Sequence, residues 1–156
     1  MDKRTEEILA KSLTAETTEL LEYIPYLLQD LWEIGSSPED MEELIMRNIK
    51  HYEKFRVLDL ACGKGAVSVK LAVNMGIHIK GIDIISEFIE FAQEKSEEHN
   101  VSHLCKFITG DINEAVTAEK DYDIVIFGAV GNVLGNPEET MAKLSKTVKN
   151  RGFLLI

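Results

Sequence analysis

The chain has little of what would staple it, anchor it or tie it to a polyanion. Two cysteines in 156 residues, Cys62 and Cys105, cannot make a disulfide framework, so a reducing, cytoplasmic setting is expected. There are three prolines, no Pro-rich linker, no low-complexity tract and no internal repeat, which leaves one natural boundary, near His51 to Lys54. No apolar run reaches the length of a membrane span, and the charged opening Met1-Asp2-Lys3-Arg4-Thr5-Glu6-Glu7 is unlike a signal peptide, so no membrane partner is expected. Basic residues are also in deficit, 17 against 27 acidic, for a formal charge of −10. A field of that sign repels phosphate backbones and disfavours nucleic acid as a partner. Lys143, Lys146, Lys149 and Arg151 form the densest basic group, and their spacing reads as the solvated face and last turn of a helix. His51, His78, His99 and His103 show no metal-ligand spacing, so no metal is expected.

What is present is periodic. From about Thr5 to His51 apolar residues recur at three- and four-residue steps, among them Ile8, Leu9, Leu13, Leu20, Leu21, Ile24, Leu27, Leu28 and Leu31. Pro25 interrupts them and marks a new helix start. Ser37-Pro38-Glu39-Asp40 is a helix start with Ser37 as N-cap, followed by a stripe of Met41, Leu44, Ile45 and Ile49. Beyond His51 short apolar runs alternate with helical stretches. Strands are predicted at 55–61, 77–84, 104–109, 123–127 and 152–156, and helices at 66–75, 86–99 (Ser86 as N-cap) and 138–149. Continuous apolar strands alternating with helices imply an α/β fold: a doubly wound, mostly parallel sheet over residues 54–156, preceded by an N-terminal helical segment over 1–53. Ligands then belong at the carboxyl ends of the strands.

The stretch Val57-Leu58-Asp59-Leu60-Ala61-Cys62-Gly63-Lys64-Gly65 is a strand running into a nucleotide-binding turn. Gly63 and Gly65 let the backbone turn sharply and approach a ligand, and the next helix offers free N–H groups to it. Asp59 is out of place for a pyrophosphate, which it would repel. It suits a cationic ligand, such as the ammonium and sulfonium of S-adenosylmethionine. Asp83 follows Gly63 by twenty residues, the offset at which an acid reaches the vicinal hydroxyls of an adenosine ribose. Asp111, in Thr109-Gly110-Asp111-Ile112, is placed to accept from the adenine amine, with Ile84 and Ile112 on either face of the purine.

In order and spacing these segments resemble the class I S-adenosylmethionine-dependent methyltransferases, which have a Rossmann-like fold. The match runs from Phe55 to Ile156 and includes Tyr122-Asp123-Ile124-Val125-Ile126-Phe127-Gly128 as the fourth-strand segment. The resemblance implies S-adenosyl-L-methionine as cofactor, with Asp59 toward its amino group and the backbone of Ala61 and Gly63 along its methionine part. Cys62 is then a small buried member of the motif, and Phe127 and Gly128 lie beneath the reactive methyl. It implies a cytoplasmic enzyme moving a methyl to a small-molecule acceptor. The Asn-Pro-Pro-aromatic signature of family members that methylate exocyclic amines of bases or glutamine amides is absent after the fourth strand.

A nicotinamide-dependent oxidoreductase shares the strand, turn and distal acid, but its third glycine is Ser68 here and Asp59 has no role in it. A cofactor-binding or regulatory module without catalysis is the other alternative. No catalytic residue stands out; Tyr23, Tyr26 and His51 are the candidates for a base, and Tyr23, Tyr26 and Trp32 read as helix packing or as an aromatic lid. The family sheet has seven strands, whereas this sequence stops at Ile156 within the fifth. The expectation is a fragment, or a homodimer through the exposed fifth strand or the N-terminal helices.

Overall fold

The computed structural model describes residues 3–13 and 15–156, so Met1 and Asp2 of the charged opening, and Thr14, lie outside the described residues. Five strands build one sheet: β1 (Arg56–Leu60), β2 (His78–Asp83), β3 (Cys105–Thr109), β4 (Tyr122–Ile126) and β5 (Val148–Leu155). All neighbours pair in parallel, in the order β3-β2-β1-β4-β5. The helices are α1 (Lys3–Ser12), α2 (Ile24–Leu27), α3 (Pro38–Asn48), α4 (Ala66–Met75), α5 (Ser86–Glu98), α6 (Ile112–Ala118) and α7 (Pro137–Leu144). This is the doubly wound α/β fold expected. Chain order reverses between β1 and β4, which opens a crevice at their carboxyl ends.

Strand alternation decides which residues reach that crevice. Along β1, Val57 joins a core cluster with Met41 and Ile45 of α3 and Val67, Leu71 and Met75 of α4, whereas Leu58 and Leu60 join the opposite cluster with Ile112, Val116 and Leu144. Asp59 therefore points to the α3/α4 side, toward the start of α4. Gly65 lets the turn before α4 pack close against α5 and β3. It sits at φ +72, and a Cβ built on it would lie 2.7 Å from the Ala92 side chain of α5.

Caps and ends explain where the elements differ from their expected bounds. Ser37 caps α3 as expected, its Oγ accepting from the Asp40 N–H at 3.1 Å, and Pro25 lies in the first turn of α2. Ser86 does not cap α5: it is the first helical residue, Ile85 holds the cap position, and the Ile85 N–H donates to Asp83. Of the expected α3 stripe, Met41, Ile45 and Ile49 are buried and Leu44 is exposed. Helix α6 was not expected; Asp111 caps it by accepting from the Asn113 N–H. Helix α7 ends at Leu144 instead of continuing to Lys149, because the chain has already turned into β5. The register of β5 against β4 shifts between Tyr122↔Val148 and Ile124↔Phe153, and Arg151 takes φ +67 within that irregularity. The basic group is thus not one helix face: Lys143 donates to the Leu134 carbonyl from α7, and Lys149 of β5 pairs with Asp123.

Only part of the N-terminal apolar pattern is buried. Leu9 and Leu21 pack with Ile85 and Phe88, while Leu13, Leu20, Leu27 and Leu31 are exposed. No helix among the described residues is long and apolar enough to cross a membrane.

Candidate functional site

A cavity of about 200 Å³ lies at the carboxyl ends of β1, β2 and β4. Asp59, Asp83 and Asp111 all line it, so the three strand-end acids do share one wall. Ala61, Cys62, Gly63, Ile84, Ile112 and Gly128 line it as well. Gly65 and Phe127, also expected at the site, are not on the wall. Gly65 is spent on helix packing, and Phe127 is buried among Leu58, Leu60 and Val125 on the other face of the sheet.

The turn after β1 is held in an unusual backbone. Ala61, Gly63 and Gly65 take φ of 57, 55 and 72, and Ala129, beyond β4, takes φ 56. An alanine in the left-handed region costs roughly 1–2 kcal/mol, and such strain collects where a ligand is bound. Both alanines are on the cavity wall.

Asp59 is 4% exposed, and the Ser68 hydroxyl of α4 donates to its Oδ2 at 2.7 Å. Burial in low-dielectric surroundings lifts its pKa from 3.8 to about 7; the Ser68 hydrogen bond opposes this and the nearby Asp83 charge adds to it. Asp83 accepts from the Gly63 N–H (2.8 Å) and the Ile85 N–H (3.0 Å), one on each oxygen. It therefore ties the end of β2 to the glycine turn of β1. Burial raises its pKa too, against backbone hydrogen bonds from Ile85, Gly63 and Ile84. A carboxylate has about four acceptor sites, so room is left for a further donor. Asp111 is more fully engaged: besides the Asn113 N–H, its Oδ1 accepts from the Asn113 side-chain amide (3.0 Å), and its Oδ2 pairs with Arg4 of α1 at 3.0 Å. Burial and the acids beside it push the Cys62 thiol well above its ordinary pKa, so it is not a thiolate nucleophile.

The N-terminal segment roofs the cavity. Ile8 and Leu9 of α1, Ile24 and Leu28 around α2, and Trp32, Ile34, Gly35 and Ser36 beyond it all line it. Trp32 is the only member of the expected aromatic lid on the wall; Tyr23 and Tyr26 point outward, Tyr26 being 68% exposed. His51, the third candidate base, is exposed and away from the cavity. Ser68, Lys64 and Arg4 were not expected at the site. Ser68 had a signal, as an isolated hydroxyl in the apolar run Ala66-Val67-Ser68-Val69; Arg4 had none, since its partners lie 107 and 110 residues away.

A family model described as methyltransferase domain matches residues 51–156. The chain belongs to the methyltransferase domain family. The nicotinamide reading falls with this, and Ser68, where that reading wanted a third glycine, is the partner of Asp59. Among family relatives, the ubiquinone biosynthesis O-methyltransferase of Rickettsia akari is 29% identical over 116 residues, 74% of this chain and 45% of that protein. The malonyl-acyl-carrier-protein O-methyltransferase of Halalkalibacterium halodurans is 32% identical over 104 residues, 64% of this chain and 37% of that protein. A SAM-dependent methyltransferase from Thiobacillus denitrificans, crystallised with S-adenosyl-L-homocysteine, superposes with a TM-score of 0.71 at 26% identity, over 86% of this chain and 53% of that one. This methyltransferase-domain chain spans about half or less of the length of these relatives.

Proposed function

We propose that the chain carries the donor-binding part of a methyltransferase that moves a methyl from S-adenosyl-L-methionine to a small-molecule acceptor by in-line displacement. The observation that carries this reading is Asp59, a buried carboxylate at the end of β1 with a single side-chain partner, facing a cavity beside the glycine turn. The donor set fits the cofactor. A carboxylate lifted to about 7 by burial is poised for a cationic ammonium, and the remaining acceptor capacity of Asp83 suits a ribose hydroxyl. Gly63 takes φ +55 and packs tightly under the roof, where a Cβ on it would meet Ile34 at 3.1 Å.

The sulfonium supplies an already activated methyl, so the protein's work is to hold and to exclude. Asp59 holds the amino end, the backbone of Ala61 and Gly63 lines the methionine part, Asp83 holds the ribose, and Asp111, Ile84 and Ile112 frame the purine. The apolar roof of Leu9, Leu28 and Ile34 keeps water from the reacting atoms. Orientation of two reactants in such a site is worth roughly 7–11 kcal/mol of barrier. The acceptor reading rests on that enclosed apolar roof and on the net charge of −10, which disfavours a polyanion. Two of the three relatives named above are O-methyltransferases, which favours an oxygen acceptor.

Calorimetric titration of the chain with S-adenosylhomocysteine and separately with NADH tests the cofactor. Binding of the first alone is expected, and binding of NADH alone would overturn the role of Asp59. Transfer of labelled methyl to a pool of small acceptors by the full-length protein tests the activity; tight cofactor binding with no transfer would leave a binding module.

A further inference from the structure

Lys64 sits between the two glycines of the turn and lines the cavity, yet its ammonium is bound to the roof. The side chain is buried, and its ammonium donates to the backbone carbonyls of Leu28 (2.5 Å), Gln29 (3.2 Å) and Leu31 (2.7 Å). Those three bonds exhaust the donors of an ammonium. The Leu28 carbonyl also accepts from the Leu31 N–H at 3.0 Å, and those of Gln29 and Leu31 lie beyond the short helix α2. The ammonium lies 4.6 Å from the ring centroid of Phe91 and 5.8 Å from that of Phe88, both on α5. A bond returns the other way: the Trp32 Nε1–H donates to the Lys64 carbonyl at 3.0 Å. Four hydrogen bonds thus close a ring between one turn residue and the segment 28–32, whose Leu28 and Trp32 line the cavity together with Ile34. A cation taken out of water persists only where it is fully partnered, and neither the turn nor α4 needs a lysine here.

From this geometry we propose that Lys64 is a positioning residue that fastens the cavity roof, residues 28–34, to the cofactor turn, so that cofactor occupancy and roof closure are coupled. The coupling rests on the cofactor reading above; the fastening does not. A ligand that touches both the turn and the roof binds the fastened state better, and by reciprocity steadies the roof.

Trp32 is the sole tryptophan, so its fluorescence reports the roof directly. The test combines acrylamide quenching of Trp32 with amide hydrogen exchange, in the wild type and in Lys64→Met, without and with S-adenosylhomocysteine. In the wild type the ligand should slow exchange at 62–66 and at 28–34 together. In Lys64→Met, with a cooperative melt retained, quenching should rise several-fold even without ligand, ligand should protect 62–66 alone, and its affinity should drop several-fold. Wild-type protection confined to 62–66 overturns the coupling, and quenching in Lys64→Met equal to wild type overturns the fastening. Protection of neither segment refutes the cofactor reading, while the quenching still decides the fastening. Should Lys64→Met not fold, the wild-type exchange pattern decides the coupling by itself.

Discussion

Replacing Asp59 by asparagine should make the ligand-free protein more stable at high pH while abolishing tight cofactor binding. The folded-state pKa is raised, from 3.8 to about 7, so folding favours the protonated acid. Its stability contribution is whole below the unfolded pKa and is lost as pH rises through the folded one. Linkage puts that loss at about 2 kcal/mol by about pH 5 and about 4 kcal/mol by about pH 8, whereas asparagine is flat across the range. The stability difference between Asp59→Asn and wild type should therefore move in favour of the variant by about 2 to 3 kcal/mol between those two pH values. Urea denaturation of both proteins at each pH reads it, and the titrating groups other than the coupled Asp83 largely cancel in the difference. Ligand binding should run the opposite way. A cationic amino group needs the ionised acid, so wild-type affinity for S-adenosylhomocysteine should fall about tenfold for each pH unit below about 7, and the variant should bind weakly throughout. A stability difference that stays constant within about 0.5 kcal/mol from pH 5 to pH 8 would refute the buried-acid account.

Three further perturbations separate the other parts of the site. Asp83→Ala should weaken S-adenosylhomocysteine binding by about 1.5 to 3 kcal/mol. Because it strands the Gly63 and Ile85 N–H groups, it should also destabilise the fold by about 2 kcal/mol or more, so calorimetry and denaturation must both respond. Gly65→Ala puts a Cβ 2.7 Å from Ala92 at φ +72 and should cost about 2 to 4 kcal/mol in a urea titration; a neutral result would mean that α5 yields freely. Arg4→Gln takes an exposed guanidinium from Glu114, which is exposed, and from Asp111, which is largely buried but keeps its Asn113 bonds, so the melting temperature should fall only slightly. The ligand should enter faster, as followed by Trp32 fluorescence in stopped flow, and unchanged entry would show that α1 does not gate the adenine end.

The sheet and the acidic rim were legible because their signals are local. Each strand carries a short apolar run, the polar first half of β5 being the part that none marked, and Asp59, Asp83 and Asp111 are placed by strand ends alone. Helix α6 was legible in principle, since Asp111 with Glu114 three residues on is an N-terminal signature, but with Asp111 read mainly as a ligand contact the helix went unassigned. Phe127 illustrates a different limit. Next to Gly128 in sequence, it alternates to the opposite face of the sheet, and a motif aligned by sequence alone does not say which neighbour faces the ligand. The end of α7 was misplaced because Lys143, Lys146 and Lys149 keep a helical spacing by accident, while the pairing of β5 with β4 claims Val148 onward. The partners of Arg4 and Lys64 lie in distant segments, and no periodicity encodes them.

The electrostatics of the cavity argue for a cationic ligand more strongly than the motif does. A lysine inside a glycine-rich turn is ordinarily a phosphate ligand. Here burial lowers the Lys64 pKa and its three protons are given to carbonyls of the roof, so the turn offers its own charge to nothing in the cavity. Against that withdrawn cation stand Asp59 and Asp83, both buried, both lifted above the ordinary carboxylate range, with Asp83 raising Asp59 further. Two acids left to repel each other in a partly dry pocket are a standing cost that folding alone does not require. An ammonium beside Asp59 would relieve it, and a pyrophosphate would deepen it. The same arrangement explains why Ser68 is a serine: it supplies the one hydrogen bond that Asp59 can keep from below while the side facing the cavity stays open.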